Sequence, residues 1–303
     1  MIFRSLLILL ISQFLLGQKK ICTVSHPPIN EQSAIVKSRT YSDVFWVSND
    51  SDTEPFLFPL NYRGEIIIPK WMQSRYSKNT EDIYPGIAIS GAILYDWESM
   101  AVFDDTLIVA DVGNNGNARR DLGVYFIPEP NPHTTPRTRP LAWYPVHYED
   151  QDEYPAKEHE FDCEAIFTFS GNIYFLTKHR RDRNIIKPAP STKLYRMDTR
   201  HTDKTNILKL VSRKEALGGW VTDADIAPDE SAMVLLAQNP LASTIWYFPR
   251  PEKGDDFLSQ TPKVFNLIKA SQAEGICFKN SRTLIVTNEQ REWFEVPLSK
   301  FSN

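Results

Sequence analysis

Acidic residues recur at the heads of apolar segments along this 303-residue chain: Glu98, Glu164, Asp225 and Glu274. Between one segment head and the next, the chain runs from 50 residues (Ala224 to Glu274) to 66 (Gln32 to Glu98, and Glu98 to Glu164). Carboxylates brought together this way are hard oxygen donors, the kind calcium and magnesium prefer. Crowded like charges also demand a cation, a proton or a basic partner. Glu98, Glu164, Asp225 and Glu274 are therefore the candidate metal ligands, with calcium the expected ion. A second set falls just after the following apolar segment of each unit: Asn49, Asp50, Asp111, Asn115, Lys178, Asn288 and Glu289, with Asn114 and Gln238 beside them. Lys178 and Arg119, with Arg120, are the basic groups available to hold an anionic ligand at this rim. Two other readings stay open for the acids. A carboxylate ahead of a strand can cap its own turn, and paired carboxylates can act as general acid and base where their surroundings separate their pKa values.

Other chemistries lack their patterns. The six histidines, His26, His133, His147, His159, His179 and His201, show no HExxH spacing. His159 and His179, near the third unit's acids, are expected at the surface. No CxxC pair or GxSxG elbow occurs, and neither glycine pattern for phosphate binding is found. Asp111–Asn117 lacks the glutamate of an EF-hand and reads as a polar turn. Cys22, Cys163 and Cys277 are too few for a disulfide framework, and Cys163 and Cys277 read as packing. Most of the seven tryptophans read as core, while Trp97 and Trp220, beside acidic motifs, are candidates for the floor of a pocket.

The elements that must position these residues are strands. Aromatics make up 12% of the chain and prolines number 21, and short apolar runs alternate with turn clusters while long helical periodicity is missing. The expected strands include Ala34–Lys37, Val44–Ser48, Phe56–Leu60, Glu65–Ile68, Met100–Phe103, Leu107–Ala110, Ala165–Phe169, Ile173–Thr177, Asp225–Ala227, Gly275–Phe278, Leu284–Thr287 and Trp293–Val296. Such a recurring four-strand unit predicts an all-β fold, a β-propeller of five blades. Six blades remain open if Trp71–Tyr95 or Glu149–Asp162 holds further strands. The fifth unit lacks an outer strand, and Ile21–Ser25 is expected to supply it and close the ring.

Residues 1–17 carry Arg4, an apolar run from Leu6 to Leu16 and a small residue at Gly17, which together read as a secretory signal peptide too short to span a bilayer. The expectation is a secreted or periplasmic monomer, with residues 18–303 one propeller domain and no membrane span in the mature form. Without Arg4 the chain has 33 basic against 38 acidic residues, which argues against a nucleic-acid partner.

Several motifs together carry a resemblance: Asn49-Asp50-Ser51, Asp96-Trp97-Glu98, Asp111-Val112-Gly113-Asn114-Asn115, Asp162-Cys163-Glu164-Ala165, Val221 through Asp229, and Glu274-Gly275. In these the chain resembles a family of secreted bacterial β-propeller proteins of largely uncharacterised function. It departs from that family at Asn114, where a second aspartate is usual, and at Asp52, where a glycine is usual. More distantly, the spacing of the acids is similar to calcium-dependent apyrases and phytase-like propellers. Three functions follow as expectations: a calcium-binding propeller presenting the same rim to a small molecule or envelope protein, a metal-dependent phosphoester or phosphoanhydride hydrolase, or a structural envelope scaffold.

Overall fold

The computed structural model describes residues 17–302, except 52–53, 77–80, 185, 269 and 271. The expected leader, apart from Gly17, lies outside the described residues. The described part is all-β, with strands joined by tight turns and a few single-turn 3-10 segments.

The strands follow one another in antiparallel runs of four; the second and third runs join into one nine-stranded sheet, and Arg137–Thr138 adds a parallel fifth strand to the first. Blade one holds Gln32–Lys37, Phe45–Asn49, Phe56–Leu60 and Ile87–Ile89; blade two holds Trp97–Phe103, Thr106–Asp111, Gly123–Pro128 and Ala142–Tyr148. Blade three is His159–Phe169, Asn172–Arg180, Thr192–Met197 and Asn206–Lys214. Blade four is Trp220–Ile226, Ala232–Asn239, Ala242–Pro249 and Lys263–Leu267. Blade five takes Ala273–Asn280, Thr283–Asn288 and Glu292–Pro297, and its outer strand is Lys19–Thr23 from the other end of the chain. The outer strands of blades two and three also pair in parallel, at Val146–Tyr148 and Asn206–Leu208.

Short turns make these hairpins local. Phe169 and Asn172 are joined through Ser170 and Gly171, whose φ values of 48° and 79° are the left-handed pair a type I′ turn needs. The first strand of each blade packs against the first strand of the next, and blade five's against blade one's, so the order closes into a ring. The cores lie between blades. Trp46 and Ala34 meet Trp97 and Val109; Ile108 and Val124 meet Ile166 and Phe175; Phe167 and Leu194 meet Val221 and Met233; Val234 and Ile245 meet Ile276 and Val286. Ile285 and Trp293 meet Ile35 and Phe45, which completes the circuit. Each sheet thus buries both faces, which explains second strands such as Thr106–Asp111, Ala232–Asn239 and Thr283–Asn288, whose middles are apolar at successive positions rather than at every second one.

Trp293 seals that last junction. It is fully buried, its ring lies 5.4 Å from Phe45 in an edge arrangement, and its Nε1 donates to Gln32 Oε1. Trp293→Ala is expected to cost about 3–5 kcal/mol, the usual cost of emptying a large aromatic site, read as a lower midpoint in chemical denaturation.

Two strand expectations change. Glu65–Ile68 is not a strand: only Ile66 bridges Leu60, and the segment is turned back by Asn61, whose Oδ1 accepts from the Arg63 and Glu65 N–H groups. The fourth strand of blade one is instead Ile87–Ile89, so the strand inside Trp71–Tyr95 completes an existing sheet. Likewise, the end of Glu149–Asp162 is the beginning of blade three's 11-residue inner strand.

Candidate functional site

Near the start of every inner strand the pairing with the strand beside it skips a residue. The register skips Ser33, Glu98, Glu164, Thr222 and Glu274, each opposite a continuous partner strand. A β-bulge of this kind breaks the alternation and re-aims the extra side chain. Here the bulge recurs at one level of all five inner strands. Two bulged residues stitch neighbours: Ser33 Oγ donates to Trp97 O at 2.8 Å, and Thr222 Oγ1 donates to Ala273 O at 2.8 Å. The other three, Glu98, Glu164 and Glu274, line a cavity of about 530 Å³ at one mouth of the ring.

That cavity is strongly acidic. Among its described lining residues Glu31, Asp50, Asp96, Glu98, Glu164, Glu274 and Glu289 are acidic, against the single ammonium of Lys178. Oxygen atoms of Glu98, Asp162 and Glu164 lie within 4.8 Å of one another. Two oxygens held at 2.3–2.6 Å from one calcium can be at most about 5 Å apart, and the spacing of these three donors lies within that limit. Lys178 Nζ stands 2.8 Å from Glu164 Oε1, and Arg180 pairs with Asp162 and donates to Asn115. The Asn114 N–H donates to Asp162 Oδ1 at 2.6 Å, which fixes that carboxylate's other oxygen.

Two cations do not balance this many acids, and protons make up the difference. Burial, and then Glu164 and Asp96, push the Glu98 carboxyl well above its ordinary range. Burial raises Glu164 to about 8 despite Lys178, with Asp162 adding to the rise. Burial also raises Glu274 to about 7 against Lys178's opposition, and Asp96 to about 6 with help from Asp162. Burial alone would lower the Lys178 ammonium, but Glu164, Asp162 and Glu274 more than offset it.

Of the expected metal set, the fold brings Glu98, Glu164 and Glu274 to one cavity and sends Asp225 elsewhere. Blade four's bulge is Thr222, so Asp225 lies three residues further along the strand. Its oxygens accept the N–H groups of Ile226 and Phe278, both at 2.8 Å, in a separate hollow with Lys37, Arg39 and Pro228 at the far ends of the inner strands. Between the two hollows sits Asp223. It accepts from Ser99 Oγ of blade two at 3.0 Å and from the Ile276 N–H of blade five at 2.8 Å, which links three blades across the channel. Asp225→Asn is expected to leave calcium affinity unchanged and to destabilise the protein by about 1–3 kcal/mol, because an amide N–H then faces a backbone N–H. Calorimetric titration and denaturation of the same variant measure both.

Asp50, Asn115, Lys178 and Glu289 of the expected rim line the cavity. The remaining four are not among its lining residues, because their polar atoms hold loops. Asn49 Nδ2 donates to Pro28 O and Asn30 Oδ1, both at 2.9 Å. Asn288 caps its turn, accepting from the Glu292 N–H at 2.8 Å. Asp111 is paired with Arg119 at 2.9 Å, and Arg119 also grips Asp121 and the Gly113 carbonyl under the Tyr95 ring. His159 and His179, expected at the surface, are both buried. His179 lies between Ser191 and Thr177, each at 2.8 Å, and burial pushes it down to about 4. Trp97 is core, whereas Trp220 is only partly buried and lines a hollow.

Asp162, Asp96 and Glu31 belong to the site but were not singled out as ligands from the sequence. The signal was present: Asp96 and Asp162 each precede a bulged glutamate by two residues, in Asp96-Trp97-Glu98 and Asp162-Cys163-Glu164.

No protein-family model matches the chain, and no curated protein matches it. Among solved structures the chain is similar to a gluconolactonase from Xanthomonas campestris, at 10% identity and a TM-score of 0.39, over 88% of this chain and 76% of that one. It is also similar to hydrazine synthase from Kuenenia stuttgartiensis, at 10% identity and a TM-score of 0.46, over 88% of this chain and 84% of that one. These likenesses concern the course of the chain alone.

Proposed function

We propose that this protein is a secreted β-propeller that holds a divalent cation, calcium, in the acidic cavity and presents the same rim to a ligand. The supporting observation is the convergence of Glu98, Asp162 and Glu164 oxygens within 4.8 Å, in a cavity whose countercharge falls short. Glu274, bonded to Gln238 Nε2 at 2.6 Å, and Asp96 complete the oxygen-rich surroundings. The cavity is far larger than an ion needs, which leaves room for a ligand beside it. Metal content after mild purification, followed by melting with and without EGTA, tests the reading. No retained metal, no calcium titration and no melting shift would end it.

Lys178 favours a second reading, hydrolysis of phosphoesters or phosphoanhydrides. Its ammonium stands next to the candidate cation ligands, where a phosphoryl group held against the ion would gain a second positive charge. Release of inorganic phosphate from ATP or phytate by wild type, and its loss in Glu164→Gln, is the expected result under that reading. Equal rates in the two proteins would exclude it.

A further inference from the structure

A second hollow, of about 260 Å³, adjoins the acidic cavity. Trp220, Gln238, Asn239, Leu241, Ser243 and Leu267 form most of it, and its described lining carries no charged side chain. The two meet at Gln238 and Trp220. Gln238 lines this hollow while its Nε2 donates to Glu274 in the cavity, and Lys178 Nζ stands 5.8 Å from the centre of the Trp220 ring.

The position of Trp220 is held by close backbone packing. Gly219 passes so near the end of its neighbour strand that a Cβ there would stand 2.1 Å from the Gln238 carbonyl oxygen. Gly218, with φ of 75°, turns the chain into that approach, and Asn239 Nδ2 anchors the Gly218 carbonyl at 2.8 Å. Any larger residue at 219 would collide with the backbone at Gln238 and displace the chain next to Trp220.

We infer that this hollow is a subsite for one ring of a neutral saccharide whose adjoining hydroxyls reach the cation in the acidic cavity. The inference rests on the cation reading above. Its chemistry comes from the lining: an indole and leucine, which suit the C–H face of a pyranose, beside amides and a hydroxyl, which both donate and accept at its edge. Charge selects among ligands. The lining acids that stay ionised work against a uronate or a nucleotide, whereas hydroxyl oxygens coordinate calcium without adding negative charge.

Cellobiose, lactose and maltose titrated calorimetrically into the full chain with calcium, and again with EGTA, provide the test. At least one is expected to bind, about tenfold or more weaker in Trp220→Ala and in Leu241→Asp, and near wild type in Trp220→Phe. Leu241 is 96% exposed, so its variant folds even where Trp220→Ala does not. Calcium titration of each variant keeps the two readings apart. Saccharide binding that survives EGTA but is lost in Trp220→Ala sinks the cation and keeps the subsite. No binding by any of the three sugars, undiminished binding by Trp220→Ala and Leu241→Asp, or Trp220-dependent binding of ATP in their place overturns the subsite.

Discussion

Glu98→Gln is expected to weaken calcium binding on the order of 100-fold or more, since changing even the outer shell of a metal site commonly costs 10–100-fold. The same substitution is expected to stabilise the calcium-free protein at pH 8. Glu98 is raised well above its ordinary range by burial, by Glu164 and by Asp96, so its ionised form is under strain that a neutral amide of the same shape relieves. Each kcal/mol relieved raises the melting temperature by about 2–4 °C for a chain of this size or somewhat less. Opposite signs for affinity and stability mark a group kept for binding at the expense of stability. Glu164→Gln should lose calcium equally but gain less stability, because it leaves Lys178 without its 2.8 Å partner. Calorimetric titration and melting of both variants decide the matter. Wild-type affinity in both would remove these residues from any ligand set.

Calcium affinity is expected to climb steeply between pH 6 and pH 8, by about tenfold per pH unit for each proton the ion displaces. The window follows from Asp96 at about 6, Glu274 at about 7 and Glu164 at about 8. The sign for stability runs the other way. Each folded carboxyl is raised above its unfolded value, so between those values the folded chain binds more protons than the unfolded one. Its calcium-free stability is therefore greatest at low pH and declines as pH rises through the window. Calcium, replacing the lost protons, should restore it. Melting curves from pH 5.5 to 8.5, with EGTA and with calcium, should diverge as pH rises; parallel curves would show that the acids and the ion are not linked.

Much of the fold was legible along the chain because strands and tight turns are decided locally. Ile173–Thr177 and Phe56–Leu60 both read as strands by composition alone, and both lie within strands. The closing strand was legible as an apolar segment near the start, although it pairs as Lys19–Thr23 rather than Ile21–Ser25. Glu65–Ile68 misled for the same local reason: it has strand composition, but Asn61 folds it back and a distant segment takes the edge.

The sequence by itself determined the alternation of strands and turns and the recurrence of an acid near each inner strand. It could not say which acid faces the channel. That choice belongs to the bulge, one unpaired residue created only when two strands meet in register, and a shift along the strand moves a side chain to another face or another level. At blade four the bulge fell on Thr222, which left Asp225 to the opposite mouth and Asp223 across the channel. Only the tertiary structure set Asp162 beside Glu98, because their oxygens come from different blades and their distance depends on how the ring closes.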